Sequence, residues 1–137
     1  MVILLDQFHL PEDIFEVIFA TSQQKIVAKL LVDHMKTNDG EIGKTEMSMF
    51  ANQLHEGNLV AEIDEPEFKG KKVKLSYNKR QFYDRILTPM KAMGLIDYDL
   101  YKKTYKISRK FKDVMMEIGV MWSKEMDKPP FKVRSSK

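Results

Sequence analysis

Residues Ser76–Ile107 read SYNKRQFYDRILTPMKAMGLIDYDLYKKTYKI. From Tyr77 to Met93 the apolar residues Phe82, Ile86, Pro89 or Met90, and Met93 recur at helical spacing. Gly94 follows as a left-handed stop. Two short apolar-aromatic runs come next, Leu95–Tyr98 and Thr104–Ile107, separated by the turn-like Asp99–Lys103. Alternation puts Ile96 and Tyr98 on one side of the first run and Tyr105 and Ile107 inward on the second. The expected order is helix, glycine stop, β-hairpin. Ser76 is the expected cap of the helix, and Arg80, Asp84, Leu87, Thr88 and Lys91 are its expected outer side, with Lys79, Tyr83 and Arg85 on the flanks. Pro89 removes one internal hydrogen bond and crowds the Arg85 carbonyl, which predicts a kink late in the helix.

Before this stretch, Gly57–Leu75 mixes apolar and charged residues, with breaks at Pro66 and Gly70. Leu59–Asp64 and Lys71–Leu75 read as a hairpin, with an irregular loop as the alternative. Lys69-Gly70-Lys71-Lys72-Val73-Lys74 places four lysines in six residues. Further back, Lys44 to Leu54 or His55 reads as a helix with Thr45 as its cap and Met47, Phe50, Ala51 and Leu54 on one face. Asn38-Asp39-Gly40 is a turn, followed by a one- or two-residue strand at Ile42. Gln23 to Met35 or Lys36 is a core helix capped by Thr21 or Ser22, and a short helix with Ile14, Val17 and Ile18 starts near Pro11. Met1–Leu10 reads as an extended arm or a short strand.

After the hairpin, Ser108 is positioned to cap a helix from Arg109 to about Met126. Phe111, Val114, Met115, Ile118, Met121 and Trp122 recur at spacings of three and four. The stripe is long for the terminal helix of so small a domain, and Val114, Ile118, Met121 and Trp122 are the expected contacts of a homodimer. Residues 1–128 then form one domain, and 129–137 a basic, flexible tail.

Charge is distributed unevenly. Residues 1–68 hold 4 Lys against 13 Asp or Glu, whereas residues 69–137 hold 19 Lys or Arg against 7 Asp or Glu, so the halves carry −9 and +12 of the net +3. That asymmetry fits one basic face for a polyanion. The chain has no cysteine, which excludes disulfides and thiolate metal sites. No run of roughly 18 apolar residues is present, and a cytoplasmic, non-membrane protein is expected.

Catalytic signals are weak. His9, His34 and His55 lie far apart without ligand-like spacing. Gly40-Glu41-Ile42-Gly43-Lys44-Thr45 fails the phosphate-loop spacing because residue 38 is Asn. Asp97 and Asp99 share a strand face, but a wet strand edge accounts for them better than a divalent ion. The expectation is no enzyme, no metal or other cofactor, and no small-molecule ligand.

Nucleic-acid chemistry is better represented. Lys79, Arg80, Lys91 and Tyr83 lie on the Ser76–Ile107 helix, with Asn78 and Gln81 suited to base edges. Lys71, Lys72, Lys74, Lys102, Lys103 and Lys106 suit phosphates, and Tyr101 at the hairpin tip suits sugar or base edges. Tyr98 and Tyr105 are expected to pack the hairpin on the core, leaving Tyr77 and Tyr101 freer.

Phe82-Tyr83-Asp84-Arg85-Ile86-Leu87, Met90-Lys91-Ala92-Met93-Gly94-Leu95-Ile96-Asp97-Tyr98 and Thr104-Tyr105-Lys106-Ile107-Ser108 resemble the winged helix-turn-helix superfamily, especially small archaeal or mobile-element DNA-binding proteins. The resemblance covers roughly residues 14–126. It implies an α+β fold in which 23–36 is helix one, 45–55 helix two, 77–93 the recognition helix and the hairpin the wing. It implies double-stranded DNA as ligand and a role as transcriptional regulator or replication or partition factor. A winged-helix subunit for protein–protein interaction is the alternative. One departure stands out: about twenty residues, 57–76, are inserted before the recognition helix, where the superfamily has a short turn. The long C-terminal helix completes the expected architecture.

Overall fold

The computed structural model describes residues 6–62 and 72–133, with side chains described outside 60–75. The protein is α+β. Helices α1 (Ile14–Ile18), α2 (Ser22–Lys36) and α3 (Lys44–Glu56) come first, with strand β1 (Glu41–Gly43) before α3. Strands β2 (Leu59–Glu62) and β3 (Lys72–Leu75) form the expected hairpin, paired antiparallel with Leu59 opposite Leu75. A continuous rod follows, made of α4 (Lys79–Phe82), a π-helical segment (Tyr83–Leu87) and α5 (Thr88–Ala92). Strands β4 (Ile96–Asp99) and β5 (Thr104–Ile107) and helix α6 (Lys110–Met126) complete the chain. The proposed N-terminal arm lies in part, at Met1–Leu5, outside the described residues, as does Lys71. Among the described residues no helix is long and apolar enough to cross a membrane.

Local chemistry explains most element boundaries. Thr21 caps α2 by accepting from the Gln24 N–H at 3.1 Å. Asp13 caps α1 through the Phe15 N–H at 2.9 Å, so that helix is only five residues long and starts later than Pro11 suggested. Three caps differ from expectation. The cap of α3 is Gly43, two residues before Thr45 and without a side-chain hydrogen bond, so Thr45 lies inside the first turn. Asn78, not Ser76, caps α4, accepting from the Gln81 N–H at 3.1 Å. Arg109 occupies the cap position of α6, while Ser108 Oγ accepts from the Lys110 N–H at 3.2 Å.

The three-stranded sheet has order β1-β5-β4, all antiparallel. Ile42 faces Tyr105, and Tyr105 faces Tyr98, on the inner side. The parity expected for Ile96, Tyr98, Tyr105 and Ile107 therefore holds. The core joins Val27, Leu31 and Met35 of α2 to Met47, Phe50 and Leu54 of α3, Phe82, Ile86, Leu87 and Met90 of the rod, and Ile42 and Ile96 of the sheet. Lys25, nearly buried, ties α2 to α1 through Glu16 Oε1 at 3.1 Å.

Two residues are corrected by the packing. Leu87, expected outside, is buried. The Thr88 N–H reaches back five residues to the Tyr83 carbonyl, so this turn holds one residue more than an α-turn. Both Ile86 and Leu87 then face the core. Pro89 supplies the cause: its ring crowds the Arg85 carbonyl four residues back, and widening the turn relieves the clash upstream of the expected kink. Tyr77, expected to be free, is also buried, and its N–H donates to the Leu54 carbonyl at 3.0 Å.

Candidate nucleic-acid interface

The site is built from the outer side of the rod and the tip of the β4–β5 hairpin. The inserted segment does not separate α3 from the rod. Because β2 and β3 pair, both ends of the insertion return to one place. The Lys79 N–H donates to His55 Nδ1 at 3.0 Å, and Gln23 Nε2 donates to the Ser76 carbonyl at 3.2 Å. Helices α3 and α4 thus meet as if joined by a short turn.

Along the rod, Arg80, Gln81, Asp84, Arg85, Thr88 and Lys91 are exposed. Lys79 and Tyr83 are half-buried, and the Tyr83 ring meets Phe82 edge-on at 5.5 Å between centroids. Asn78 is exposed, but its Oδ1 is engaged as the helix cap, which leaves its amide nitrogen as the group able to meet a ligand. Arg80 Nε lies 3.8 Å from Asp84 Oδ2, with both side chains mostly in solvent. Such an exposed pair contributes little to stability. Arg85 and Thr88 were not among the expected contacts. The wide turn changes the phase of the rod at this point, and Pro89, four residues after Arg85, is the sequence signal for it.

The hairpin tip is ordered by Asp99. Its Oδ1 accepts from the Tyr101 N–H at 2.9 Å and the Lys102 N–H at 3.1 Å. These donors, led by Lys102, hold the Asp99 carboxyl below its ordinary pKa. Lys103 adopts a left-handed φ of 55°, and its carbonyl accepts from the Lys44 N–H at 2.9 Å, joining the tip to the start of α3. Tyr101 is 99% exposed, beside exposed Leu100, Lys102 and Lys103.

Helix and hairpin meet at an aromatic junction. The Tyr98 and Tyr105 rings lie 4.6 Å apart, and Lys91 Nζ sits 6.0 Å from the Tyr105 ring centroid. Burial first, then the neighbouring Tyr83 and Tyr98 phenols, push the Tyr105 hydroxyl above its ordinary pKa. Tyr98 and Tyr105 therefore pack the hairpin against the core, and Lys91 carries positive charge from the rod to the hairpin.

Not every expected contact is equally placed. Lys106 is exposed but lies opposite Glu41 on one side and Asp97 on the other, so its charge is locally balanced. Asp97 Oδ2 is 3.0 Å from Lys110 Nζ, and Asp99 is committed to the tip. Lys72 and Lys74 belong to β3, next to the start of the rod. The shallow groove along Asp97, Asp99, Lys102 and Lys106, about 370 Å³, is lined by charges of both signs.

Comparison with protein families, with curated proteins and with solved structures finds no match to this chain. Its functional reading therefore rests on geometry and chemistry.

Proposed function

We propose that the chain is a winged helix-turn-helix protein that binds double-stranded DNA, as a transcriptional regulator or a replication or partition factor. The observation that carries this reading is Lys91 Nζ at 6.0 Å from the Tyr105 ring, which sets a cation of the rod beside the hairpin. Arg80, Gln81, Arg85 and Thr88 are the groups for base edges in a major groove, which admits a single helix. The rod, from Lys79 to Ala92, is about 20 Å long at 1.5 Å per residue. Lys102 and Lys103 at the tip are the groups for phosphate, with Tyr101 beside them. The sheet order β1-β5-β4 and the return of the insertion to His55 support the same reading.

Substitution tests it. Arg85→Ala or Lys91→Ala lowers affinity for duplex DNA by roughly 1–3 kcal/mol with unchanged circular dichroism, whereas Lys36→Ala on α2 has no effect. Equal affinities for all three variants would remove the rod from the interface.

A second reading, a subunit for protein–protein interaction, is favoured by one feature: the exposed apolar side of α6.

A further inference from the structure

Helix α6 leaves the body after one turn. The Phe111 N–H donates to the Gly94 carbonyl at 3.0 Å, and Lys110 reaches Asp97. Beyond half-buried Phe111 every residue of the helix is exposed. At 17 residues it extends about 25 Å. Val114, Met115, Ile118, Met121 and Trp122 fall in one stripe centred on Ile118, and Trp122 is 66% exposed. A stripe of this width on a water-soluble helix calls for a covering surface.

We infer that a second copy of the chain covers it, with the two α6 helices packed antiparallel. Charge placement carries the orientation. Glu117 and Lys124, one heptad apart, lie on the same flank of the stripe. Among the described residues neither has an ion-pair partner within its own chain. In an antiparallel pair like flanks meet, so Glu117 of each copy faces Lys124 of the other, twice per dimer. The same register sets Ile118 against Met121 and Trp122 of the second copy. In a parallel pair the Glu117 flank meets the flank of Lys112, Gly119 and Ser123, where the one charge, Lys112, lies five residues N-terminal to the level of Glu117 and Lys124 meets no acid. These pairs are exposed, so they select orientation while the apolar stripe supplies affinity.

Gly119 is an independent observation. A glycine inside an exposed helix is destabilising relative to alanine, and a Cβ there meets nothing within 4 Å in its own chain. The monomer gives it no packing reason. In the antiparallel register Gly119 lies near the twofold axis, at the edge of the stripe, where a missing side chain lets the second helix approach. The inference concerns a different surface from the DNA reading and stands without it.

Analytical ultracentrifugation of the full chain tests it. The expected mass is twice the 16.1 kDa chain. Ile118→Glu and Trp122→Glu, both at exposed positions, give monomers with unchanged circular dichroism. Glu117→Lys alone and Lys124→Glu alone each raise the dimer dissociation constant by roughly tenfold, and an equimolar mixture of the two regains wild-type affinity because the heterodimer restores both pairs. A monomeric wild type, a dimer indifferent to Ile118→Glu, or a mixture no tighter than either charge variant would overturn the proposal.

Discussion

The backbone N–H of Lys79 donates to Nδ1 of His55 at 3.0 Å, joining the end of α3 to the start of α4 across more than twenty residues of sequence. A loop of that length would ordinarily separate two helices. Here β2 and β3 pair, the Tyr77 N–H reaches the Leu54 carbonyl, and the end of α3 meets the start of α4. His55→Ala removes the acceptor at the helix start. The expected loss is about 0.5–1.5 kcal/mol in urea unfolding, with His55→Asn restoring part of it. An unchanged midpoint would show that this bond adds nothing to the Tyr77–Leu54 bond and the β2–β3 pairing in holding the two helices together.

Gly94 meets two demands at once. Its φ is +83°, and a Cβ there would lie 2.9 Å from the Phe111 nitrogen. Gly94→Ala is expected to cost more than the roughly 1 kcal/mol of a left-handed residue alone, because backbone must move as well. Thermal unfolding measures it. A shift in Tm as small as that of a surface alanine would contradict the packing of α6 onto this corner.

Leu87 separates the wide turn from a regular helix. Buried as it is, Leu87→Ala is expected to destabilise by about 2–5 kcal/mol. On the outer side of a regular helix the same change would cost less than about 0.5 kcal/mol. Chemical denaturation distinguishes the two.

That contrast also marks what the sequence carried. The stop at Gly94, the strand parity through Tyr98 and Tyr105 and the α2 cap at Thr21 depend on local chemistry, and each was readable from a few residues. Leu87 was not, because a period of 3.6 residues cannot register a turn closed by an i to i+5 bond. The burial of Tyr77 depends on α3, more than twenty residues away, and has no local signal. Ser76 and Asn78 are both good caps, and tertiary contacts chose between them.

Asp99 makes the hairpin tip sensitive to acid. Its carboxyl is held below the ordinary 3.8 by the Lys102 and Tyr101 N–H groups, so the charged form favours the folded tip. This contribution is present above the unfolded pKa and is lost as pH falls through the lowered folded value, below 3.8. The Tyr101 and Lys102 amide resonances are expected to move together in that window, and Asp99→Ala is expected to abolish the shared transition. Independent titration of the two amides would contradict a common acceptor.

The DNA reading is tested most directly by titrating duplex DNA with the full chain at about 50 mM and about 200 mM salt and measuring Kd by fluorescence anisotropy. With about six phosphate contacts the expected result is saturable binding that weakens roughly a thousandfold between the two, a log–log slope on the order of −5. Lys102→Ala/Lys103→Ala should reduce that slope by about 2. No binding at 50 mM salt, or binding with no salt dependence, would contradict it.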